Sequence, residues 1–270
     1  MAADWVPVRG TTRLAGLIGW PVAHSRSPQM HNAAFAALGL DWIFVPLPVP
    51  EAGLERALRA LPDLGFAGVN VTIPHKQRVC ELCDTLSDEA ARAHSVNTVL
   101  VGEDGTLDGH TTDGRGMLGA IGLPLPDEAL VIGSGGAARA AVVALQDAGL
   151  RVRVSARNKE AAAELGADVD PWPAERPAPL LVNATPVGQV GPADELPVSE
   201  ELVAAADVVC DLTYRGDGVE TGLVATAAHH GVRVIDGLDV LVFQGVLAFQ
   251  LFTGQEPPLD VMHAAVRGTP

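Results

Sequence analysis

Short apolar runs alternate along this chain with amphipathic stretches of helical period. The short runs are typical of buried strands, and the amphipathic stretches are typical of helices that pack on a sheet. The predicted strands cover residues 14–18, 42–47, 68–72, 96–101, 106–110, 180–182, 208–210 and 232–235, and one more begins at 129. Regular alternation of strand and helix predicts an α/β fold in which crossover helices connect parallel strands.

Helix start and stop signals fit between these strands. The first helix is predicted to begin at Pro28, with Ser27 as its N-cap, and to end at Gly39. Further helices are expected over 54–61 and 74–83 and from Ser87 onward. Two helices, 240–253 and 259–266, follow the last strand, and we expect them to pack back on the N-terminal domain.

A glycine-rich turn restarts the pattern of strand, turn, helix and strand after residue 129. The turn matches G-x-G-x-x-[GA] over Gly133, Ser134, Gly135, Gly136, Ala137 and Ala138. Glycines let a pyrophosphate approach the backbone, and the free amides at the helix N-terminus bind its charge. The restart therefore predicts a second domain over 111–237 with a Rossmann-type doubly wound parallel sheet. The alternative is a glycine-rich turn with a purely structural use.

The end of the next strand distinguishes between the two nicotinamide dinucleotides. An NAD site usually carries Asp or Glu about 20 residues beyond the glycines, where it holds the ribose 2′-hydroxyl. This chain has Ser155, Arg157 and Lys159 in that region and no acidic residue at the turn. A hydroxyl and two cations suit a 2′-phosphate, so we expect NADP as the cofactor. Otherwise Arg157 and Lys159 would be ordinary surface charges.

The composition argues against several classes of partner. The formal net charge of −15 opposes binding to nucleic acid, which depends on clustered Lys and Arg. No apolar run approaches the ~20 residues that span a bilayer, and the first residues lack the basic start and apolar core of a signal peptide. We therefore expect a cytoplasmic protein that binds small molecules and has neither a nucleic-acid nor a membrane partner.

Lysine is rare in this chain, which has 2 lysines and 16 arginines. One of the two lysines, Lys76, follows the strand at 68–72 and lies just after Pro74. A lysine ammonium is compact and rotatable, and its pKa can be moved into a working range, which a guanidinium does not allow. Lys76 is therefore a candidate proton donor. The alternative is an exposed helix lysine without a chemical role.

Eight segments together resemble one known family over essentially the full length of the chain. They are 23–28, 70–76, 96–98, 112–114, the glycine turn, 183–185, 211–214 and 236–244. In order and spacing they resemble shikimate dehydrogenases, which reduce 3-dehydroshikimate to shikimate, usually with NADPH, in aromatic amino-acid (chorismate) biosynthesis. The resemblance implies a substrate-binding and catalytic domain over 1–110, completed by 238–270, and a dinucleotide-binding domain over 111–237.

The resemblance also implies roles for single residues. Ser25 and Ser27 would bind the substrate carboxylate, and Thr72, Asn97 and Gln244 would contact the ring hydroxyls. Lys76 and Asp113 would form the catalytic pair, with Tyr214 beside the substrate. Asn183, Thr185 and Gly237 would belong to the cofactor side.

Several of these roles have a structural alternative. Ser27 would cap a helix with or without a ligand, whereas Ser25 has no evident structural use. As a lone residue, Asp113 would serve as a helix N-cap. Facing Lys76, its carboxylate would favour the charged ammonium, which stabilises negative charge on a carbonyl oxygen and supplies the proton. Asn183 and Thr185 would equally suit a turn.

This chain departs from the family pattern at three places. Thr111 replaces the asparagine that usually precedes Thr-Asp-Gly, Ala161 replaces a second arginine, and Arg215 stands where many members carry a proline. We therefore expect a weaker preference for NADP and a longer, more mobile loop after Tyr214. The alternative functions are a quinate/shikimate-type paralogue with relaxed use of NAD and NADP, and a catalytically silent NADP-binding sensor. We expect a monomer or a homodimer.

Overall fold

The structure is a computed structural model that describes residues 8–189 and 191–268. Its strands are β1 (Arg13–Gly19), β2 (Trp42–Pro48), β3 (Phe66–Val71), β4 (Thr85–Leu86), β5 (Thr98–Val101), β6 (Leu107–His110), β7 (Glu128–Ile132), β8 (Arg151–Ser155), β9 (Asp168–Asp170), β10 (Leu180–Asn183), β11 (Val208–Asp211) and β12 (Arg233–Ile235). Its helices are α1 (Ser27–Ala37), α2 (Leu54–Ala60), α3 (Lys76–Leu82), α4 (Asp88–Ala93), α5 (Asp113–Ile121), α6 (Gly136–Asp147), α7 (Lys159–Ala163), α8 (Glu200–Ala204), α9 (Gly222–His229), α10 (Gly237–Thr253) and α11 (Leu259–Arg267), with a 3-10 turn at Glu51–Gly53. These elements form two compact units.

Within the described residues, the first unit comprises residues 8–87, 96–112 and 245–268. Its sheet has the order β2-β1-β3-β5-β6-β4, with β2, β1 and β3 parallel and β5 antiparallel to both of its neighbours. Phe35, Phe44 and Phe249 are among its largest fully buried side chains. Helix α11 packs against α1, so the C-terminal segment completes this unit.

The second unit comprises residues 88–95, 113–189 and 191–244. Its sheet is parallel throughout and has the order β12-β11-β10-β7-β8-β9. Numbered from β7 to β12 as strands one to six, this is the 3-2-1-4-5-6 order of dinucleotide-binding sheets. The strand order reverses between β7 and β10, and ligands bind at the carboxyl ends of the strands at such a reversal.

The α/β prediction is confirmed, and the structure has every strand and helix named from the sequence. Pro28 lies in the first turn of α1, and Gly39 follows that helix with φ +64°, a conformation that favours glycine. The strands β4 and β9 were not predicted because they have only 2 and 3 residues. No helix within the described ranges combines the length and the apolar character needed to cross a bilayer.

The division of the chain differs from the expected one in three details, the first being that residues 111 and 112 belong to the first unit. The second unit continues to residue 244, within α10, and it includes residues 88–95, which precede the expected boundary. Helix α4 packs on α6, and Arg92 forms two hydrogen bonds of 2.8 and 2.6 Å to the Asp147 carboxylate. This contact joins residues 55 positions apart, so no local pattern indicated it.

Candidate active site

Polar side chains gather at one edge of the first sheet. The loop after β1 carries Ser25 and leads into α1, and Thr72 follows β3, the parallel neighbour of β1. Because β5 runs antiparallel to β3 and β6 antiparallel to β5, Asn97 precedes β5 and Thr112 follows β6 at this same edge. The topology therefore brings together most of the substrate residues expected from the first unit.

Ser25 and Ser27 are hydrogen-bonded to each other at the start of α1. The Ser25 hydroxyl oxygen accepts the Ser27 amide at 3.2 Å, and the two hydroxyls lie 3.3 Å apart. Ser27 is not the N-cap, because the cap position belongs to Arg26 and no side chain caps this helix. The structural role expected of Ser27 therefore belongs to Ser25: the Ser25 hydroxyl supports the turn, and the Ser27 hydroxyl makes no capping bond.

The first turn of α3 is anchored immediately before Lys76. His75 is 1% exposed, and its Nε2 donates a 2.6 Å hydrogen bond to the Val49 carbonyl. The Thr72 amide donates a hydrogen bond to the Ile18 carbonyl. The next residue is Gly19, and a Cβ on Gly19 would lie 2.3 Å from the Thr72 methyl group. Lys76 itself is partly buried, and its carbonyl accepts the Val96 amide at 2.9 Å. The backbone around Lys76 is therefore fixed from both sides.

A buried hydrogen-bond network surrounds Asn97. Its Oδ1 accepts the Thr112 amide at 2.8 Å, and its Nδ2 donates to the Thr112 hydroxyl at 2.8 Å. Asn70 on β3 donates to the Asn97 carbonyl at 3.2 Å and to the Thr98 hydroxyl at 2.9 Å. The Asn70 Oδ1 is buried and has no hydrogen-bond partner among the described residues. A buried acceptor without a partner is a place where a ligand hydroxyl fits.

Asn70, Thr98 and Thr112 had no predicted role. Asn70 lies between two fully apolar neighbours on β3, Val69 and Val71, which are 0% and 2% exposed. A single amide inside a buried strand was therefore the signal that could have indicated the network.

One expected catalytic residue, Asp113, and two expected substrate residues, Tyr214 and Gln244, lie in the second unit. Asp113 is the first residue of α5, and Gly116 lies one turn later, on the same face. A Cβ on Gly116 would lie 2.5 Å from the Gln244 amide nitrogen, so α5 and α10 are in backbone contact at this point. The Gln244 Nε2 donates to the Leu241 carbonyl at 2.7 Å. Asp113 and Gln244 are therefore held on adjacent helices, while Tyr214 lies in the loop after β11.

The glycine turn has the geometry that a pyrophosphate requires. Gly133 adopts φ +115°, and a Cβ there would lie 2.9 Å from the Ala184 carbonyl oxygen. A Cβ on Gly135 would meet open space, and α6 begins at the next residue with no acidic side chain in its first turn. Ser134 and Ala137 are partly exposed beside it. The amides at this helix start are therefore accessible to an anion.

Two of the three residues expected at the 2′-phosphate are exposed. Arg157 and Lys159 follow β8 on the surface, and neither forms an ion pair within residues 8–189 and 191–268. Ser155 is 0% exposed, and its hydroxyl donates to the Pro171 carbonyl at 2.5 Å. The positive side chains can reach a ligand in solution, whereas the serine hydroxyl is already bonded inside the unit.

Asn183 and Thr185 form part of a second buried network at the ends of β10 and β11. Asn183 donates to Asp211 at 2.9 Å, and its Oδ1 accepts the Thr185 amide and hydroxyl at 3.0 and 2.7 Å. Burial raises the pKa of Asp211, while hydrogen bonds from Thr221 and Thr213 act in the opposite direction. These bonds favour the turn alternative for Asn183, which is 0% exposed.

Comparison with known proteins identifies the family. A model of the shikimate dehydrogenase substrate binding domain matches residues 17–99, and one of the shikimate 5′-dehydrogenase C-terminal domain matches 237–267. The chain is 46% identical to the shikimate dehydrogenase (NADP(+)) of Rubrobacter xylanophilus, covering 97% of this chain and 98% of that protein. The chain belongs to the shikimate dehydrogenase family. The resemblance found in the sequence is thereby confirmed.

Other members of the shikimate dehydrogenase family support this assignment. The chain is 44% identical to the shikimate dehydrogenase (NADP(+)) of Anaeromyxobacter dehalogenans, covering 93% of this chain and 94% of that one. The shikimate 5-dehydrogenase of Thermus thermophilus, crystallised with NADP(H) and shikimate, has a TM-score of 0.86 and 39% identity, with coverage of 95% and 99%. The family fold therefore extends over both units.

Proposed function

We propose that this chain catalyses the NADP-dependent interconversion of 3-dehydroshikimate and shikimate. The observation that carries the proposal is the placement of Lys76 in an anchored helix start, at the sheet edge that also carries Ser25, Thr72 and Asn97. The family relatives named above as shikimate dehydrogenases support the choice of substrate.

The substrate binds through complementary polar groups. The Ser25 and Ser27 hydroxyls lie beside the start of α1, where a carboxylate is also favoured by the helix amides. Asn97, which is 2% exposed and hydrogen-bonded on both of its polar atoms, presents a fixed surface to the ring hydroxyls. We add Asn70 to this set, because its unpartnered Oδ1 accepts a hydroxyl without disturbing the network.

Lys76 donates the proton when the ketone is reduced. Reduced NADP supplies the hydride to the carbonyl carbon, and negative charge develops on the carbonyl oxygen. An ammonium beside that oxygen stabilises the charge and transfers its proton to it, giving the alcohol. Asp113, the first residue of α5, is the second residue that we assign to the catalytic pair. In the reverse direction, neutral Lys76 accepts the hydroxyl proton.

The cofactor residues fit the phosphates of NADP. The glycine turn receives the pyrophosphate at the start of α6, and Thr185, in the loop after β10, and Gly237, at the start of α10, lie at the carboxyl edge of the same sheet. Arg157 and Lys159 bind the 2′-phosphate. Ser155 does not contact the phosphate; its hydroxyl bonds to the Pro171 carbonyl and so holds the end of β8, which precedes Arg157 and Lys159.

The decisive test is a steady-state assay of shikimate and quinate oxidation with NADP and with NAD. We expect NADP reduction with shikimate to be the fastest of the four combinations. Comparable rates with quinate or NAD would favour the quinate/shikimate-type alternative. Binding of NADP without turnover in any combination would favour the silent sensor.

We also propose a cytoplasmic location and a monomeric or homodimeric state. The three cysteines, Cys80, Cys83 and Cys210, are all free thiols, as is usual in a reducing compartment. Subcellular fractionation tests the location, and light scattering on the purified protein tests the number of subunits.

A further inference from the structure

Helix α6 of the second unit carries a buried arginine one turn after its start. The Arg139 amide donates to the carbonyl of Gly135, the residue before the helix, at 3.0 Å. The Arg139 side chain is only 10% exposed. Arginine is almost never buried to this extent unless its charge is paired. The partners of the guanidinium therefore indicate what this residue does.

The guanidinium of Arg139 has a charged partner and also an unsatisfied group. Its Nη2 donates to the Glu164 carboxylate at 2.7 Å. Its Nε is buried and has no hydrogen-bond partner among the described residues. A buried N–H without an acceptor is destabilising, and an apolar side chain of similar length would avoid that cost. Stability alone therefore does not explain the arginine at this position.

Glu164 lies at the end of the short helix α7, where it occupies the C-cap position. This helix has only 5 residues, which is too few for a helix to be stable by itself. Asn158 caps its start by accepting the Ala161 amide at 3.0 Å, and Ala162 is buried in the core of the unit. The ion pair between Glu164 and Arg139 fixes its other end to α6.

The two cations that we assign to the 2′-phosphate lie on the segment that leads into α7. Arg157 precedes the N-cap residue of this helix, and Lys159 is its first residue. On the other side, the segment is held at the end of β8, where the Ser155 hydroxyl donates to the Pro171 carbonyl at 2.5 Å. A shift of α7 would therefore move both cations relative to the glycine turn at the start of α6.

We propose that Arg139 is a positioning residue for NADP selectivity. Its ion pair with Glu164 holds α7, and with it Arg157 and Lys159, at a fixed place relative to the glycine turn. The inference rests on the proposed function. NADP carries its pyrophosphate and its 2′-phosphate on the same ribose, so both protein sites must match that fixed separation at once. NAD lacks the 2′-phosphate, and its binding does not depend on where the two cations lie.

The test measures shikimate oxidation with each nucleotide, and we define the NADP preference as kcat/KM for NADP divided by kcat/KM for NAD. Arg139→Met keeps the length of the side chain and removes its charge. We expect its NADP preference to fall about five-fold, a size usual for residues coupled through one network. The fall should come from a higher KM for NADP, with kcat and the values for NAD little changed. The Tm should not fall, because the substitution removes a buried N–H without an acceptor.

Glu164→Ala removes the other partner at an exposed position, and it decides the matter if Arg139→Met does not fold. The double variant should lose no more NADP preference than the more affected single variant, because both changes act through one ion pair. Asp147→Ala is the matched control. Asp147 lies at the opposite end of α6 and accepts two hydrogen bonds from Arg92, at 2.8 and 2.6 Å. This variant should keep the NADP preference of the wild type.

Three outcomes overturn the inference. The first is an unchanged NADP preference in Arg139→Met or, where that variant is unfolded, in Glu164→Ala. The second is an equal loss of kcat/KM for both nucleotides with a lower Tm, which would indicate a purely structural role. The third is a comparable fall in Asp147→Ala. Absence of shikimate oxidation by the wild-type protein with either nucleotide would instead refute the proposed function, and the inference with it.

Discussion

His31 should make this protein sensitive to acid. It lies on α1, is 0% exposed, and its ring stacks on Phe44 with the centroids 4.4 Å apart and the planes 8° apart. The Phe249 ring is also nearly parallel to the His31 ring, and the two ring centroids are 6.2 Å apart. Neither ring nitrogen has a hydrogen-bond partner among the described residues. Burial therefore favours the neutral imidazole and lowers the pKa of His31 from 6.5 to about 3.

The sign and size of the effect follow from the two pKa values. Below pH 6.5 the unfolded chain binds a proton at His31 while the folded protein does not, so folding stability falls as the pH falls from 6.5 towards 3. Each pH unit in this window costs about 1.4 kcal/mol. Between pH 7.5 and pH 5.0 the His31 contribution to the free energy of unfolding decreases by about 2 kcal/mol.

The assay compares chemical denaturation of the wild type and His31→Leu at pH 7.5 and pH 5.0. Leucine has a similar volume and no titrating group, so its repacking effect should be the same at both pH values. We expect the variant to lose about 2 kcal/mol less than the wild type on acidification. His229→Leu, at an exposed position on α9, is the control and should behave like the wild type. Equal acid destabilisation of wild type and His31→Leu would refute the reasoning.

Three further changes test the site and its supporting turn. Lys76→Ala should lower kcat about 100-fold or more while shikimate still binds. Lys76→Arg should not restore turnover, because a guanidinium is too weak an acid to donate the proton. Near-normal kcat in Lys76→Arg would show that Lys76 has only an electrostatic role. Arg157→Ala should raise the KM for NADP by an amount equivalent to about 1.5–3 kcal/mol and hardly change the KM for NAD, and an equal loss for both nucleotides would contradict a 2′-phosphate contact. His94, with φ +45°, follows α4 where helices usually carry glycine, so His94→Gly should raise stability by about 0.5–1 kcal/mol in thermal unfolding. A lower Tm in that variant would show that the imidazole contributes more than the backbone conformation costs.

The fold was predictable because its signals are local and repeated. The all-parallel second sheet follows from apolar strands, a glycine turn and helices in regular succession, and Gly133 occupies the conformation and the close contact that the motif predicts. Ser25, Thr72 and Asn97 were also within reach, since each lies at a strand end and topology then decides which ends meet.

Ser155 shows why side-chain roles are harder to predict than elements. Side chains alternate between the two faces of a strand, so Ser155 shares a face with Arg153. The edge strand β9, which pairs with β8, and the loop after it supply the partners of these side chains, where Arg153 bonds to Asp170 and Ser155 to the Pro171 carbonyl. Because β9 is only 3 residues long, no pattern of residues predicted these partners. The serine therefore appeared available for a phosphate.

Other local rules fail in the segments that lead to Lys76 and Asn97. Ser95 occupies the second position after α4, where an apolar residue usually packs on the helix, yet its hydroxyl is fully buried and has no partner within the described chain. The next residue, Val96, donates its amide to the Lys76 carbonyl, and Asn97 follows. Asn70, with its own unpartnered oxygen, donates to the carbonyl of Asn97. The unpartnered polar atoms of Ser95 and Asn70 destabilise the fold, and an apolar side chain at either position would avoid that cost. Their occurrence next to Lys76 and Asn97 is best explained by a requirement for the placement of these two site residues rather than for stability.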